Sequence, residues 1–109
     1  MKKTPLHISQ LLIVVSCLWG FTPETKAELQ AAVDLWVDDN ATALSTYGEI
    51  NTSHVSLIED MSELFRGKPT FNDDIGNWNV SSVTKMDEMF LFADNFNQDI
   101  SSWDVSHVT

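Results

Sequence analysis

A 25-residue interval separates Ile50, Ile75 and Ile100, and it constrains this chain more than any other feature. The run Phe71-Asn72-Asp73-Asp74-Ile75-Gly76-Asn77-Trp78-Asn79-Val80-Ser81-Ser82-Val83-Thr84, shifted by 25, lands on residues 96–109 with nine of 14 positions identical. Residues 50–65 align without gaps to residues 75–90. A fixed period of this length marks stacked supersecondary units, none of which can bury its apolar face alone. Stacking makes columns: Ile50/Ile75/Ile100, Trp78/Trp103, Phe71/Phe96, Val55/Val80/Val105, Met61/Met86 and Phe65/Phe90. Each such side chain contributes roughly 1.5–3 kcal/mol when buried. The first unit departs from the pattern at Ser53, where the later ones carry tryptophan.

Inside a unit, Asp74-Ile75-Gly76 and Asp99-Ile100-Ser101 read as short strands that would stack into a narrow parallel sheet. Met86, Met89, Phe90 and Ala93 fall at helical spacing, and Met61, Leu64 and Phe65 repeat it, which predicts one or two helical turns. Gly67, Pro69 and Asp94-Asn95 mark the return turns. The expected fold class is an α/β repeat solenoid of short parallel strands and short helical turns.

Residues 22–48 do not follow the period. Thr25 with Glu28 three residues on fits a capping box. Leu29, Ala32, Val33, Trp36 and Val37 then form one apolar helical stripe. Asp39-Asn40 can end that helix and cap a shorter one, from Ala41 to Tyr47, which Gly48 terminates. The segment reads as an N-terminal helical cap over the first unit, as solenoid ends require.

Lys2 and Lys3 followed by the apolar run Leu11-Leu12-Ile13-Val14-Val15 read as a signal sequence over residues 1–21, too short for an ordinary membrane span. A buried N-terminal element is the competing reading. Val14-Val15-Ser16-Cys17 matches a lipobox, in which Cys17, the single cysteine, would carry lipid; otherwise Cys17 is part of a discarded leader. Loss of residues 1–16 removes two of six basic residues and no acidic one, moving the net charge from −10 to −12. Nucleic acid and anionic membrane surfaces would repel such a chain. A membrane association is expected only through the leader or a lipid anchor. The division is therefore 1–21 signal, 22–48 cap, and 49–109 about two and a half repeats, the last one incomplete.

The unit Phe-Asn-x-Asp-Ile-x-x-Trp-(Asn/Asp)-Val-Ser-x-Val-Thr-x-Met-x-x-Met-Phe, over about residues 22–109 with its leader, resembles the repeat of BspA-like leucine-rich-repeat surface proteins, a mycoplasma-type surface or lipoprotein domain of unknown function. The resemblance implies a leucine-rich-repeat-like solenoid exported to the cell surface, as an outer-membrane lipoprotein or secreted. It implies adhesion or protein binding, and it brings no catalytic or cofactor residues. By analogy, Asn72 and Asn97 would form a ladder that satisfies turn backbone groups.

The chemistry of individual residues adds little to this. His54 and His107 stand at variable positions, and no closely spaced histidine pair or second cysteine suggests zinc. Asp73, Asp74, Asp99 and Asp104 recur near turns and could hold Ca2+ weakly, although capping of turns is the stronger reading of them. No catalytic, cofactor or metal residue is assigned, and no enzyme is expected. The exposed, variable positions Asn79, Ser82, Thr84, Asp104 and His107 are the expected binding face for a protein or cell-surface ligand. The alternative is a structural spacer or stalk within a larger surface protein.

Overall fold

The computed structural model describes residues 20–109. Cys17 and almost all of the signal segment lie outside them. Helix α1 spans Lys26–Asp38 and helix α2 spans Asn40–Tyr47, followed by a 3-10 turn at Ile50–Thr52. Thr25 caps α1, its hydroxyl accepting from the Glu28 N–H at 3.2 Å. The reciprocal bond of the capping box goes one residue early, from the Glu24 N–H to Glu28 Oε1 at 2.7 Å. Asp39 closes α1 through its own N–H, which donates to the Leu35 carbonyl. It also opens α2, its carboxylate accepting from the Thr42 N–H and hydroxyl. Those bonds, the hydroxyl first, hold the Asp39 carboxyl below its ordinary pKa.

The α/β solenoid expectation is overturned. The described residues contain two α-helices and no β-strand or sheet; a single isolated parallel bridge joins Asp60 to Lys85. Neither Asp74–Gly76 nor Asp99–Ser101 is a strand, and Met86–Ala93 is not a helix. What repeats at 25 residues is a series of tight turns. Backbone N–H groups donate three residues back, from Trp78 to Ile75, Val83 to Val80, Met89 to Met86, Leu91 to Glu88, Ala93 to Phe90 and Phe96 to Ala93. Each of these bonds has its counterpart 25 residues earlier, from Ser53 to Ile50 through Phe71 to Lys68.

This turn chemistry explains the missing sheet. A parallel ladder needs both the N–H and the C=O of each strand. Here the carbonyls of Met61, Glu63 and Phe65 accept within their own turns. Only their N–H groups are left to cross to the next layer. Met61, Glu63, Phe65 and Gly67 donate to the carbonyls of Lys85, Asp87, Met89 and Leu91, all at 2.9 Å. The result is three stacked layers of irregular chain: 50–74, 75–99 and the partial third, 100–109.

Side chains lock the layers together. The Trp78 indole N–H donates to the Ile50 carbonyl at 2.8 Å, and that of Trp103 donates to Ile75 at 3.1 Å. Phe65 stacks on Phe90 and Phe71 on Phe96, with ring planes 4° and 6° apart. Asn72 Oδ1 accepts from the Asn97 N–H at 2.8 Å, so one rung of an asparagine ladder is present. Gly76 lies at a close approach between layers: a Cβ there would sit 2.8 Å from the Asp99 carbonyl oxygen.

The helices close the first layer. Leu29, Ala32, Val33 and Trp36 are buried. The Gln30 amide donates to the Leu64 carbonyl, the Trp36 indole donates to Asp73, and Lys68 pairs with Asp34 at 2.7 Å. Ser53 faces this cap across a cavity of about 10 Å³. Trp78 reaches back to a preceding layer, but the chain at Ser53 has α1 there instead, which is why the first unit lacks its tryptophan.

Candidate functional site

Serine and threonine at the crossing between turns build one edge of the stack. The Thr84 N–H donates to the Glu59 carbonyl at 2.7 Å, and the Thr109 N–H donates to the Thr84 carbonyl at 3.1 Å. Their hydroxyls follow the same course, Thr84 Oγ1 to Glu59 and Thr109 Oγ1 to Thr84. Residues 59, 84 and 109 therefore form a ladder of backbone and hydroxyl bonds down this edge.

Beside the ladder lies an open groove of about 380 Å³, lined by Glu59, Ser81, Ser82, Thr84 and His107. Ser82 and His107 are brought there by the turns Val80–Val83 and Val105–Val108, each closed by a backbone hydrogen bond between its valines. His107 Nδ1 lies 3.0 Å from the Ser81 carbonyl. As a hydrogen bond this contact requires the proton on Nδ1, and in the neutral ring it leaves Nε2 as an acceptor. The groove thus presents a carboxylate, hydroxyls and an imidazole. The histidine bonds a backbone carbonyl, so the groove shows none of the serine–histidine pairing that nucleophilic catalysis uses.

Of the five positions expected on a binding face, all are exposed, but the structure divides them. Ser82, Thr84 and His107 meet in the groove. Asn79 and Asp104 stand outside its lining and cap their own turns. Asn79 Oδ1 accepts from the Ser81 N–H and hydroxyl, and Asp104 Oδ1 accepts from the Ser106 N–H. Hydrogen bonds from Ser106, with a smaller contribution from His107, hold the Asp104 carboxyl below its ordinary pKa. Sequence reasoning missed Glu59 and Ser81. The signal for Glu59 was its place 25 residues before Thr84.

The aspartates considered for calcium are similarly engaged. Asp73 accepts from Trp36. Asp74 accepts from the Gly76 N–H and the Asn51 amide, and Asp99 from the Ser101 N–H. Among the described residues, no group of three or more His, Cys, Asp or Glu side chains is placed to hold a metal ion. No described helix is long and apolar enough to cross a membrane.

Compared with known proteins, residues 33–109 match a family model described as Mycoplasma protein of unknown function, DUF285. No curated protein matches the chain, and no solved structure does.

Proposed function

Since the chain belongs to this family of unknown function, we propose, on the groove geometry, that it is a non-enzymatic binding module for a protein or cell-surface ligand. The observation that carries this reading is the polar groove of Glu59, Ser81, Ser82, Thr84 and His107. Its side chains come from all three layers, and Ser82 and His107 fill equivalent positions on a constant apolar frame. Small-molecule sites are mostly enclosed and apolar; an open polar groove suits an extended polar ligand. The resemblance of the repeat to BspA-like surface proteins and the signal-like start of the chain support display outside the cell, with Cys17 as the candidate lipid attachment point.

A direct test is binding of the labelled protein to an array of immobilised proteins and oligosaccharides, with the Ser82→Lys, His107→Asp double variant alongside. Both positions are exposed, so the variant keeps its circular dichroism spectrum. At least tenfold weaker binding by the variant is expected; equal binding by both proteins eliminates the groove. The spacer reading rests on the self-similar contacts between layers, and it is favoured if neither protein binds any component.

A further inference from the structure

In the groove beside the 59/84/109 ladder, most of the side-chain protons are already spent on the protein itself. Asn79 Oδ1 accepts from the Ser81 N–H, and the Ser81 hydroxyl lies 2.7 Å from the same oxygen, so that hydroxyl donates. The Thr84 hydroxyl meets the Glu59 carbonyl, and His107 Nδ1 meets the Ser81 carbonyl. A carbonyl oxygen only accepts, so the hydroxyl and the ring nitrogen donate there. A hydroxyl has one proton, and a neutral imidazole has one N–H. Ser81, Thr84 and His107 therefore offer the groove lone pairs alone, on two hydroxyl oxygens and on Nε2 of the neutral ring. Glu59 adds a carboxylate that makes no ion pair among the described residues. Of the lining side chains, only that of Ser82 keeps a proton to give. We infer that this groove takes a lysine or arginine side chain of a protein partner, which rests on the groove being the binding site proposed above.

Donor count and charge both specify that occupant. An ammonium group has three donors and no acceptor, and a guanidinium group has five and none; each complements a wall of acceptors. The lining contains Glu59 and no lysine or arginine. Lys85 follows Thr84 in the chain but lies outside the lining, where it and Lys26 add to the Ser62 hydrogen bonds that favour the Asp60 carboxylate. With a net charge of −10, the chain repels phosphates and acidic sugars. A neutral sugar would supply donors too, but the lining has no phenylalanine, tyrosine or tryptophan on which its ring could stack.

A side chain of a protein fits better than a free amine. An exposed ion pair contributes little by itself, so a lone ammonium ion would leave an open groove as readily as it enters. A protein brings further contacts. In the first layer the position equivalent to Ser82 and His107 is Leu57, which is 55 % exposed. It puts apolar surface on the same column as the groove, where a neighbouring side chain of the partner would cover it.

The test titrates the full chain, labelled with nitrogen-15, with an end-blocked heptapeptide of alternating glycine and lysine. The salt is about 0.15 M, at which exposed charges more than about 8 Å apart are largely screened. The same peptide with glutamate in place of lysine, and maltotriose, are the comparison probes. Expected are saturable shifts of the Ser81, Ser82, Thr84 and His107 amides at millimolar lysine peptide, and none with the other two probes. Ser82→Asp should tighten the binding and Ser82→Lys should abolish it, a reversal with the sign of the charge that a steric role cannot produce. Glu59→Gln should weaken it about threefold to fivefold. Glu49→Gln removes the same charge from an exposed position outside the groove and should leave it unchanged. Groove shifts from maltotriose or the glutamate peptide, without any from the lysine peptide, overturn the inference and leave the groove a binding site. Absence of groove shifts with all three probes overturns the inference and the groove reading together. Equal weakening by Glu59→Gln and Glu49→Gln overturns the inference as well, since net charge would then be the whole attraction.

Discussion

Equivalent residues of the stack stand in different circumstances in its covered layers and in its outermost described one. At the first end, α1 lies over layer 50–74, and Val55, Ile58, Met61, Leu64 and Phe65 are all buried. At the other, residues 96–109 repeat the pattern of residues 71–84, and no described residue packs above them. Val80 is 1 % exposed and its equivalent Val105 is 48 % exposed. Trp78 is buried, while Trp103 makes the same indole-to-carbonyl bond half-buried. Identical side chains therefore contribute differently according to what covers them, which is the nearest-neighbour energetics expected of stacked units. The period predicts the columns, and the neighbouring layer decides how much each member contributes.

The largest effect that would sharpen this contrast comes from the tryptophans. Trp78→Ala removes a buried aromatic and the bond to the Ile50 carbonyl, a loss of about 3–5 kcal/mol. Trp103→Ala, at the open face, is expected to cost less than half as much. Urea unfolding of the two variants, read at constant slope, checks the ratio. Equal losses would mean that the open face is covered in solution, and the contrast between the ends would collapse.

The sequence made the period, the columns, the capping box and the two helices legible because each depends on side-chain identity at fixed spacing. The α/β assignment failed for a reason the same spacing conceals. Met86, Met89 and Phe90 lie three and four residues apart, as in a helix, but consecutive turns closed by bonds to the residue three back produce that spacing too. Which carbonyls the turns consume is a backbone property, and it removed the acceptors that strands at Ile75 and Ile100 required. Gln30 and Asp34 are not part of the apolar stripe of α1, yet they bind Leu64 and Lys68 and so help fix the cap. The candidate site was half legible. Variable positions identified Ser82, Thr84 and His107, but a short polar side chain beside a turn serves backbone capping as readily as binding, and Asn79 and Asp104 do the former.

A smaller effect, opposite in sign, comes from the matched pair Gly67 and Phe92. Both have left-handed backbone, which costs a non-glycine residue roughly 1–2 kcal/mol. Phe92→Gly should therefore raise stability by up to about 1 kcal/mol, once the greater freedom of glycine in the unfolded chain is discounted. Gly67→Ala should lower it by a similar amount. Thermal midpoints moving up for the first and down for the second would confirm that this turn position is strained when phenylalanine fills it and relaxed when glycine does. A fall for Phe92→Gly would show that the exposed ring is packed in solution.

The smallest expected effect concerns acid. Asp39 and Asp60 in the covered half, and Asp99 and Asp104 at the open end, are held below the ordinary carboxylate pKa by hydrogen bonds from Thr42, Ser62, Ser101 and Ser106. A depressed folded pKa contributes stability that is fully present above the unfolded value, about 3.9, and is lost as pH falls through the folded value. Both halves should weaken below about pH 4. Trp103 is less buried than Trp78, so its indole resonance should shift at a higher pH than that of Trp78. The second layer supplies the control. Asn79 holds the equivalent turn with an amide oxygen and does not titrate. Asp104→Asn should leave the protein unchanged at pH 7 and remove part of the early acid shift at Trp103. If the shift is the same in the variant, the capping carboxylates are not what loosens the open end, and its acid sensitivity belongs to the layer as a whole.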